Sequence, residues 1–313
     1  MTYSIVALDS ATGDLGVAVQ SKFLAVGAVV PWARAGIGAI ATQSFANVAY
    51  GPDGLGHLAA GRTATETLRR LVSADDLCEE RQAGVVDAKG GSATHTGRNC
   101  FAWASGRLGD GFAAQGNILA GPDVVDGLAD TFLAGGRPFP ELLIACLVAA
   151  DAAGGDRRGR ESAALLVVRH DGGYGGGNDR WIDLRVDHHD DPIGELGRLL
   201  ELQHLYFNRP LVEELEPVDE ATAAELRMCL QAIDGGPGGR FGSVYAPMSG
   251  TPVVTTGSHP YVGQPRPFPT GWDERWQGAL DEWMSVENLE ERAAAPGWID
   301  PRVLAILRSR AAG

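Results

Sequence analysis

Two hydroxyl side chains near the start of the chain are the first candidates for chemistry. Thr2 and Ser4 belong to the stretch MTYSIVAL, whose apolar and β-branched residues predict a β-strand. Successive side chains of a strand point to opposite faces, so Thr2 and Ser4 share one face of it. The pair can supply a nucleophile, or it can be two ordinary hydroxyls at the edge of a sheet.

Further polar groups stand at the ends of other predicted strands. Gln43 and Ser44 close the nearly uncharged run GIGAIATQS, and Asn117 ends the strand in GFAAQGNILAG. The Asn117 amide can bind a substrate amide or support a tight turn. His95 stands in a predicted hairpin strand, where a histidine is more often held by a structural hydrogen bond than used as a base.

The loop GGDRRGRES is the most charged segment between two predicted core elements. It contains Asp156, Arg157 and Arg160. An arginine can bind a substrate carboxylate through two parallel hydrogen bonds. An internal brace between the aspartate and an arginine is the alternative, and we favour it.

Two motifs look like sites for metals or phosphates and are interpreted otherwise. The run DHHDDP at 187–192 contains metal-ligating residue types, but consecutive strand residues point alternately and converge poorly on one ion, so we interpret it as a solvated linker. The run GGYGGG at 172–177 lacks the GK[ST] ending of a phosphate-binding loop and predicts a hairpin tip. We therefore expect neither a metal nor an organic cofactor.

Composition narrows the range of partners and compartments. The chain has 313 residues and a formal net charge of −14, which argues against nucleic acid and anionic membranes as partners. Four cysteines without CxxC spacing indicate a reducing compartment. The first residues lack the basic and apolar regions of a signal peptide, so we expect a cytoplasmic protein.

The order of predicted elements indicates the fold class. Several strands are followed by a helix, more strands, two helices and a final hairpin, which predicts an α+β domain with mostly antiparallel sheets over 1–192. Helical spacing dominates 193–313, interrupted by a Gly/Pro-rich loop or insertion at about 235–271. We predict two domains on this basis.

Long motifs of the first domain resemble a known family. They are SIVALD at 4–9, GVAVQSKFLAVGAVVPWARAG at 16–36, ATQSFAN at 41–47, QGNILAG at 115–121, GGDRRGRESAALLVV at 154–168 and DRWIDLRVD at 179–187. They are similar to the DUF1028 family of uncharacterised bacterial proteins, assigned to the N-terminal nucleophile (Ntn) hydrolase superfamily. The resemblance implies a four-layer αββα sandwich and an amide-bond hydrolase acting on a small amide or peptide-like substrate. The alternative is a catalytically inactive protein of this fold that binds a small molecule or peptide.

The resemblance also implies a reaction chemistry. In Ntn hydrolases the first residue of the mature chain attacks an amide carbonyl, and its own α-amine, which titrates near pH 8, accepts the proton. Thr2 qualifies after loss of Met1, and Ser4 after loss of three residues. Without gaps, VAVQSKFL matches the proteasomal stretch VAADSRAT. This register puts Ser4 at the place of the proteasomal nucleophile, and Gln20 and Lys22 at the places of an acid and a cation, so Ser4 is the first candidate and Thr2 the second.

The same resemblance suggests groups that bind the substrate. Backbone N–H groups near the strand end at Gln43 and Ser44 are expected to help form an oxyanion hole. A pocket lined by Gln43, Asn117, Asp156 and Arg157 is the corresponding prediction for the substrate.

The tail resembles the small peptidoglycan-binding-like module that often follows this domain. The matching stretches are LLELQHLYF at 199–207, WMSVENLEER at 283–292 and IDPRVLAIL at 299–307. The resemblance implies a peptidoglycan-type glycan as one possible partner of the tail. The interpretation we prefer is a structural or dimerising appendage. Exposed sheet edges and the helical tail also lead us to expect a homo-oligomer.

Overall fold

The computed structural model describes residues 2–234, 236–239 and 261–313. The chain divides into two compact units, residues 1–200 and 201–313. Much of the predicted Gly/Pro-rich segment lies outside the described residues. None of the helices in the described ranges combines the length and the hydropathy of a membrane span.

A six-stranded antiparallel sheet dominates the first unit. Its strands are β1 (Thr2–Leu8), β2 (Leu15–Ser21), β7 (Ser105–Gly109), β8 (Phe112–Asn117), β9 (Ser162–Val168) and β10 (Arg180–Val186). The order across the sheet is β10-β9-β2-β1-β8-β7. The hairpins β1–β2 and β9–β10, which the sequence predicts, are confirmed. Strand β7 was not predicted.

A second antiparallel sheet has four strands in the order β3-β4-β5-β6. Its strands are β3 (Pro31–Arg34), β4 (Gly38–Ser44), β5 (Arg81–Asp87) and β6 (Ser92–Thr96). From its apolar composition, the run AVGAVVPWA at 25–33 predicts a strand. That prediction is wrong in its first half, because Val26–Ala28 form a short helical turn and pairing begins at Pro31. The stretch QAGVVDAKGGSATHTG predicts a hairpin that turns at Lys89–Gly91, and the pairing of β5 with β6 confirms it.

Four α-helices of the first unit precede the helix that begins at Pro192. They are α1 (Tyr50–Ala59), α2 (Ala64–Ser73), α3 (Asp123–Ala134) and α4 (Phe139–Ala152). The spacing of Thr63 and Glu66, three residues apart before TLRRLVSA, predicts a capping box at the start of α2. The capping box is present: the Thr63 hydroxyl accepts from the Glu66 N–H, and the Glu66 carboxylate accepts from the Thr63 N–H. This reciprocal pair fixes where α2 begins.

Three buried clusters show how these elements pack. One joins the helices α3 and α4 to one face of the six-stranded sheet, through side chains such as Tyr3, Ile5 and Leu143. A second joins the other face of that sheet to the four-stranded sheet, and it contains Val6 and Val17. A third joins α1 and α2 to the four-stranded sheet. The two faces of β1 therefore have different environments, and the hydroxyls of Thr2 and Ser4 share the sheet-facing side with Val6.

The second unit is mainly helical, as predicted. Its elements are the end of α5 (Pro192–Phe207), which crosses the boundary between the units, then β11 (Glu216–Pro217), α6 (Glu220–Ala232), α7 (Glu274–Val286), β12 (Trp298–Ile299) and α8 (Pro301–Ala311). Its core surrounds the buried Trp283. Arg292 is buried with it, paired with Asp300 and donating to the Asn208 carbonyl at 2.7 Å.

Candidate functional site

The ends of several strands meet at one place, which we call the Thr2 edge. In the six-stranded sheet Thr2 pairs with Ser21 on one side and Asn117 on the other, and Ser21 pairs with Ser162. In the four-stranded sheet the equivalent strand ends are Ser44 and Arg81, which pair with each other. The hydrogen bond from Gln43 Nε2 to the Thr2 carbonyl, at 3.3 Å, links the two sheets here. The Thr2 edge is thus defined by Thr2, Ser21, Ser44, Arg81, Asn117 and Ser162.

Ser4 lies inside the domain, between the two sheets, and is fully buried. Its hydroxyl donates to Gln43 Oε1 at 2.7 Å and accepts from Gln115 Nε2 at 2.7 Å. A glutamine oxygen is a poor acceptor for a proton in catalysis, and the hydroxyl is enclosed on all sides. Ser4 is therefore part of a structural hydrogen-bond network.

Two more amides extend this network towards the Thr2 edge. Gln43 Nε2 donates to Gln82 Oε1 at 2.9 Å, and Asn117 Nδ2 donates to the same oxygen at 2.9 Å. Gln82 Nε2 in turn donates to the Gly116 carbonyl at 2.8 Å. Buried amides are costly unless they are satisfied, so this chain of bonds specifies how the two sheets pack. It brings together three predicted site residues, Ser4, Gln43 and Asn117.

Thr2 is placed differently from Ser4. It is the first described residue of β1, its side chain is 5% exposed, and it lies at the outer end of the amide network. Its hydroxyl is 3.0 Å from the Ser21 Oγ, with either group able to donate. The Thr2 hydroxyl thus has a neighbouring hydroxyl and a fixed backbone carbonyl, and it stands at the end of its strand.

Gln20 does not take part in this arrangement, contrary to the sequence-based expectation. It pairs with Tyr3 in the ladder between β1 and β2, and it shares a face with Ala18, which belongs to the helix-facing core. Gln20 therefore lies on the opposite face of the sheet from Thr2 and Ser4, because strand side chains alternate. Within the described residues both polar atoms of its buried amide lack a hydrogen bond.

Lys22 and Asp156 are engaged in local structure. The Lys22 ammonium contacts Glu161 at 2.7 Å and holds the pKa of that carboxyl below its ordinary value. The buried Asp156 carboxylate accepts from the backbone N–H of Lys22 at 3.0 Å and from that of Arg158 at 2.8 Å. These contacts tie the charged loop to the end of β2 and leave neither side chain aimed at Thr2.

The two predicted arginines also have structural partners. Arg157 donates to the Ala102 carbonyl at 2.7 Å and is exposed. Arg160 pairs with Asp151 at 2.6 Å. The favoured internal brace between Asp156 and an arginine of the loop is found, with Arg158 as the arginine, and Arg160 pairs instead with an aspartate of α4.

Ser44 and His95 complete the predicted set. Ser44 ends β4 with a φ of 68°, in the left-handed region, which turns the chain outward there. The backbone N–H that follows it, at Phe45, donates to the Glu80 carbonyl at 3.2 Å and so is already used. His95 Nε2 is 2.9 Å from the Cys78 carbonyl oxygen, which makes it a structural histidine.

A buried ion pair supports the Thr2 edge from the four-stranded sheet. Arg81 Nε contacts Asp75 Oδ2 at 2.9 Å, and both side chains are about 10% exposed. Hydrogen bonds from Arg81 above all, and also from Asn47 and the Leu77 N–H, hold the pKa of Asp75 far below its ordinary value. A second guanidinium nitrogen of Arg81 donates to the Phe45 carbonyl.

Sequence reasoning missed three contributors to this region: Ser21, Gln82 and Gln115. All three are fully buried. A signal was available, since each is an uncharged polar residue in an apolar strand, close to the end at the Thr2 edge. Which of the two sheet faces such a residue occupies depends on ladder register, and this was the information that the sequence lacked.

The run at 187–192 lies between β10 and α5. His188 Nδ1 contacts Glu161, and His189 Nδ1 accepts from the Asp191 N–H at 3.0 Å. Pro192 begins α5, as its fixed φ favours at the first turn of a helix. The side chains of His188, His189 and Asp191 are thus used in local contacts.

With this architecture described, comparison with known proteins places the chain in a class. The model of the family of unknown function DUF1028 matches residues 2–196, and the chain belongs to that family. A second model, described as "Putative peptidoglycan binding domain", matches residues 262–307. None of the curated proteins matches the chain significantly.

One solved structure supports the assignment of the first unit. The chain is similar to protein SPO2555 from Silicibacter pomeroyi, whose crystal structure also belongs to DUF1028. The two sequences are 30% identical, the match covers 65% of this chain and 89% of that one, and the TM-score is 0.60. The DUF1028 fold is therefore shared over the first unit.

Proposed function

We propose that the first unit is an Ntn-type amide-bond hydrolase with a four-layer αββα sandwich and that Thr2 is its nucleophile. The observation that supports this most is the position of Thr2. It lies at the end of a central strand, with a hydroxyl neighbour at 3.0 Å and a buried amide network directly beneath it. Two facing sheets, each packed against its own pair of helices, support the four-layer sandwich that we propose.

Thr2 is preferred to Ser4 for two reasons. Ser4 is fully buried and directs its proton at Gln43, whereas Thr2 is at the strand end. Removal of Met1 alone gives Thr2 a free α-amine, while exposing an amine at Ser4 requires the loss of Thr2 and Tyr3, which are paired in the centre of the sheet. Cutting there would remove two ladder positions of β1.

The proposed reaction has two steps. Thr2 Oγ1 attacks the carbonyl carbon of the amide, its proton passes through the Thr2 α-amine to the leaving nitrogen, and the C–N bond breaks to release an amine. Water then attacks the ester on Thr2, releasing a carboxylic acid and restoring the hydroxyl. The amine is tethered beside the hydroxyl that it activates, so no separate base has to be bound and oriented.

A non-catalytic binding protein is the rival proposal. It is supported by the chemical character of the amide network, which consists of neutral side chains, and by the placement of Gln20 on the far face of the sheet. In this case the Thr2 edge binds a small amide or peptide without cleaving it.

The N-terminal residue and the fate of an amide separate these proposals. We expect intact mass measurement to give a chain beginning at Thr2, and chromatography to show release of amine from neutral N-acyl amides by that chain. The matched control is Thr2→Val, which keeps the side-chain shape and lacks the hydroxyl. A chain retaining Met1, or equal amine release by Thr2→Val, refutes the hydrolase mechanism. Binding without release supports the rival.

For residues 262–307 we propose binding to a peptidoglycan-type glycan, on the strength of the family match. Co-sedimentation of the full chain with insoluble peptidoglycan tests this, with cellulose as the control solid. Retention on peptidoglycan alone is the expected result. Equal recovery in both supernatants refutes it and leaves the appendage as a structural element.

A further inference from the structure

Exposed apolar side chains are concentrated at the Thr2 edge. Six large ones, between 49% and 73% exposed, lie within four residues of a strand end on this side of the sheets, where the start of β7 at Ser105 also lies because Ser105 pairs with Gly116. We call this set the apolar rim: Phe23, Leu24, Phe45, Val48, Leu77 and Phe101. Scattered exposed hydrophobics are ordinary, but a group gathered at one place indicates a binding surface.

Exposed large hydrophobic residues are fewer and more scattered in the rest of the first unit. Four other large hydrophobics among its described residues are comparably exposed: Leu108 in β7, Leu133 and Val148 on helices, and Tyr174. Of these, only Tyr174 lies in a turn at the opposite ends of the strands. Exposed apolar residues are therefore more frequent at one end of the strands than at the other. A random distribution over the loops would not produce this difference.

Hydrogen bonds to well-placed partners fix the backbone of the rim. The Phe45 N–H donates to the Glu80 carbonyl at 3.2 Å, and the Phe101 carbonyl accepts from the Ile118 N–H at 2.9 Å. The Phe23 carbonyl accepts from the Ser162 hydroxyl at 2.5 Å. Each rim loop is thus anchored to a strand end of the Thr2 edge or to the residue next to one. A surface ordered before binding loses less entropy when a ligand arrives.

Charges near the Thr2 edge are already paired. Lys22 contacts Glu161, Arg81 contacts Asp75, and Arg160 contacts Asp151, at 2.6–2.9 Å. The exposed Arg157 guanidinium is held by a neutral partner, since it donates to the Ala102 carbonyl at 2.7 Å. A ligand carboxylate would have to compete with these partners. A neutral ligand with an apolar part meets no such competition and covers the rim.

We propose that the apolar rim binds the acyl part of a neutral N-acyl amide, with an aliphatic or aromatic acyl group, so that its carbonyl reaches Thr2. This names the substrate class for the hydrolase proposed above and rests on that proposal for the cleavage step. Binding itself does not require cleavage, so the two can be tested separately.

Binding is measured on the full-length Thr2→Val chain, which cannot cleave its ligand. The probes are the glycinamides of acetic, butanoic, hexanoic and octanoic acid, followed by calorimetry. Burial of a methylene group against the rim strengthens binding about two- to fourfold per CH₂. Octanoylglycine, which carries a carboxylate, is expected to bind at least about tenfold more weakly than its amide.

Surface variants identify where the acyl chain lies. Phe45→Ser and Phe101→Ser, in the same Thr2→Val background, are expected to weaken octanoyl glycinamide binding about tenfold and to leave the acetyl compound unaffected. Leu133→Ser and Val148→Ser are the matched controls, because they remove equally exposed side chains on helices. They should change neither affinity.

The outcomes separate the inference from the proposed function. Affinity that is independent of chain length, or stronger binding of octanoylglycine, overturns the inference. A fall in the mass of the particle in light scattering on Phe45→Ser also overturns it, since the rim would then be a contact between copies of this chain. Chain-length-dependent binding together with no amine release by the unmodified chain supports the rim and refutes the hydrolase.

Discussion

The two ends of the strands in the first unit differ in chemistry. The Thr2 edge combines hydroxyls, buried amides and the apolar rim, whereas the opposite end is built from turns rich in glycine and aspartate, such as Asp9–Asp14. A cleft of about 270 Å³ lies at that opposite end, and its lining includes the charged residues Lys89, Asp110 and Arg137. The pair of Asp14 with Arg169, at 2.6 Å, closes the first turn.

The difference shows where the sequence meets requirements beyond those of folding. Turn residues at the opposite end follow from local geometry: Gly13, Gly90 and Gly111 have positive φ angles that reverse the chain. No comparable requirement of local geometry explains why Phe45 and Phe101 are exposed at the Thr2 edge. Features that cost stability without a folding reason point to function.

The strongest contrast is expected between the two hydroxyls of β1. Thr2→Val should lower amine release at least about a thousandfold, because it removes the attacking group. Ser4→Ala should keep activity within about tenfold and lower the free energy of unfolding by about 1–3 kcal/mol, since buried amides lose their partner. Steady-state kinetics and urea unfolding measure both. The reverse pattern would make the amide network, rather than the edge, the reactive region.

The ion pair below the edge should dominate its stability. Asp75→Asn leaves the Arg81 guanidinium buried without its counter-charge, which costs about 3–5 kcal/mol. Urea unfolding at pH 7 measures this loss. An effect below 1 kcal/mol would show that the pair is not needed to hold the edge.

The Asp75–Arg81 pair also makes the free energy of unfolding depend on pH, and the direction follows from the pKa of Asp75. The pKa of Asp75 is lowered by folding, so its stabilisation is complete above the unfolded-state value near 4 and is lost as the pH falls below it. Between pH 5 and pH 3 the unmodified chain should lose more stability than Asp75→Asn. Parallel losses in the two proteins would contradict the assignment.

Close packing of the network gives a smaller effect. A Cβ at Gly84 would lie 2.2 Å from Gln115 Oε1, so Gly84→Ala should cost about 1–3 kcal/mol by displacing that amide. Gly56→Ala is the matched control: its Cβ meets nothing within 4 Å, and it should stabilise α1 by about 0.5–1 kcal/mol. Equal effects of the two changes would mean that the amide can move freely.

The smallest effect is expected at the opposite end. Arg169→Met leaves the buried Asp14 carboxylate without its ion-pair partner and should lower stability by about 1–2 kcal/mol, with no change in amine release. Arg180→Met removes an exposed partner of Asp183 and should change stability by at most about 0.5 kcal/mol. A loss of amine release in Arg169→Met would mean that residues at both ends of the strands contribute to catalysis.

Much of the fold follows from the sequence, and the candidate site follows in part. The capping residue Thr63 and the apolar runs of β1, β2 and β9 have local causes, so their elements are predictable. Gln20 was misplaced because its face depends on the pairing of β1 with β2. Gln82 and Gln115 were overlooked because their partners lie in other strands, between 14 and 111 residues away along the chain.

The position of a covalent adduct on the chain is the most direct test of Thr2 as an N-terminal nucleophile. The unmodified chain is treated with a threonine-reactive β-lactone, and the N-terminal peptide is sequenced by mass spectrometry. We expect a peptide that begins at Thr2 and carries the acyl group on Thr2. A peptide that begins at Met1, or an adduct on Ser4, would contradict it.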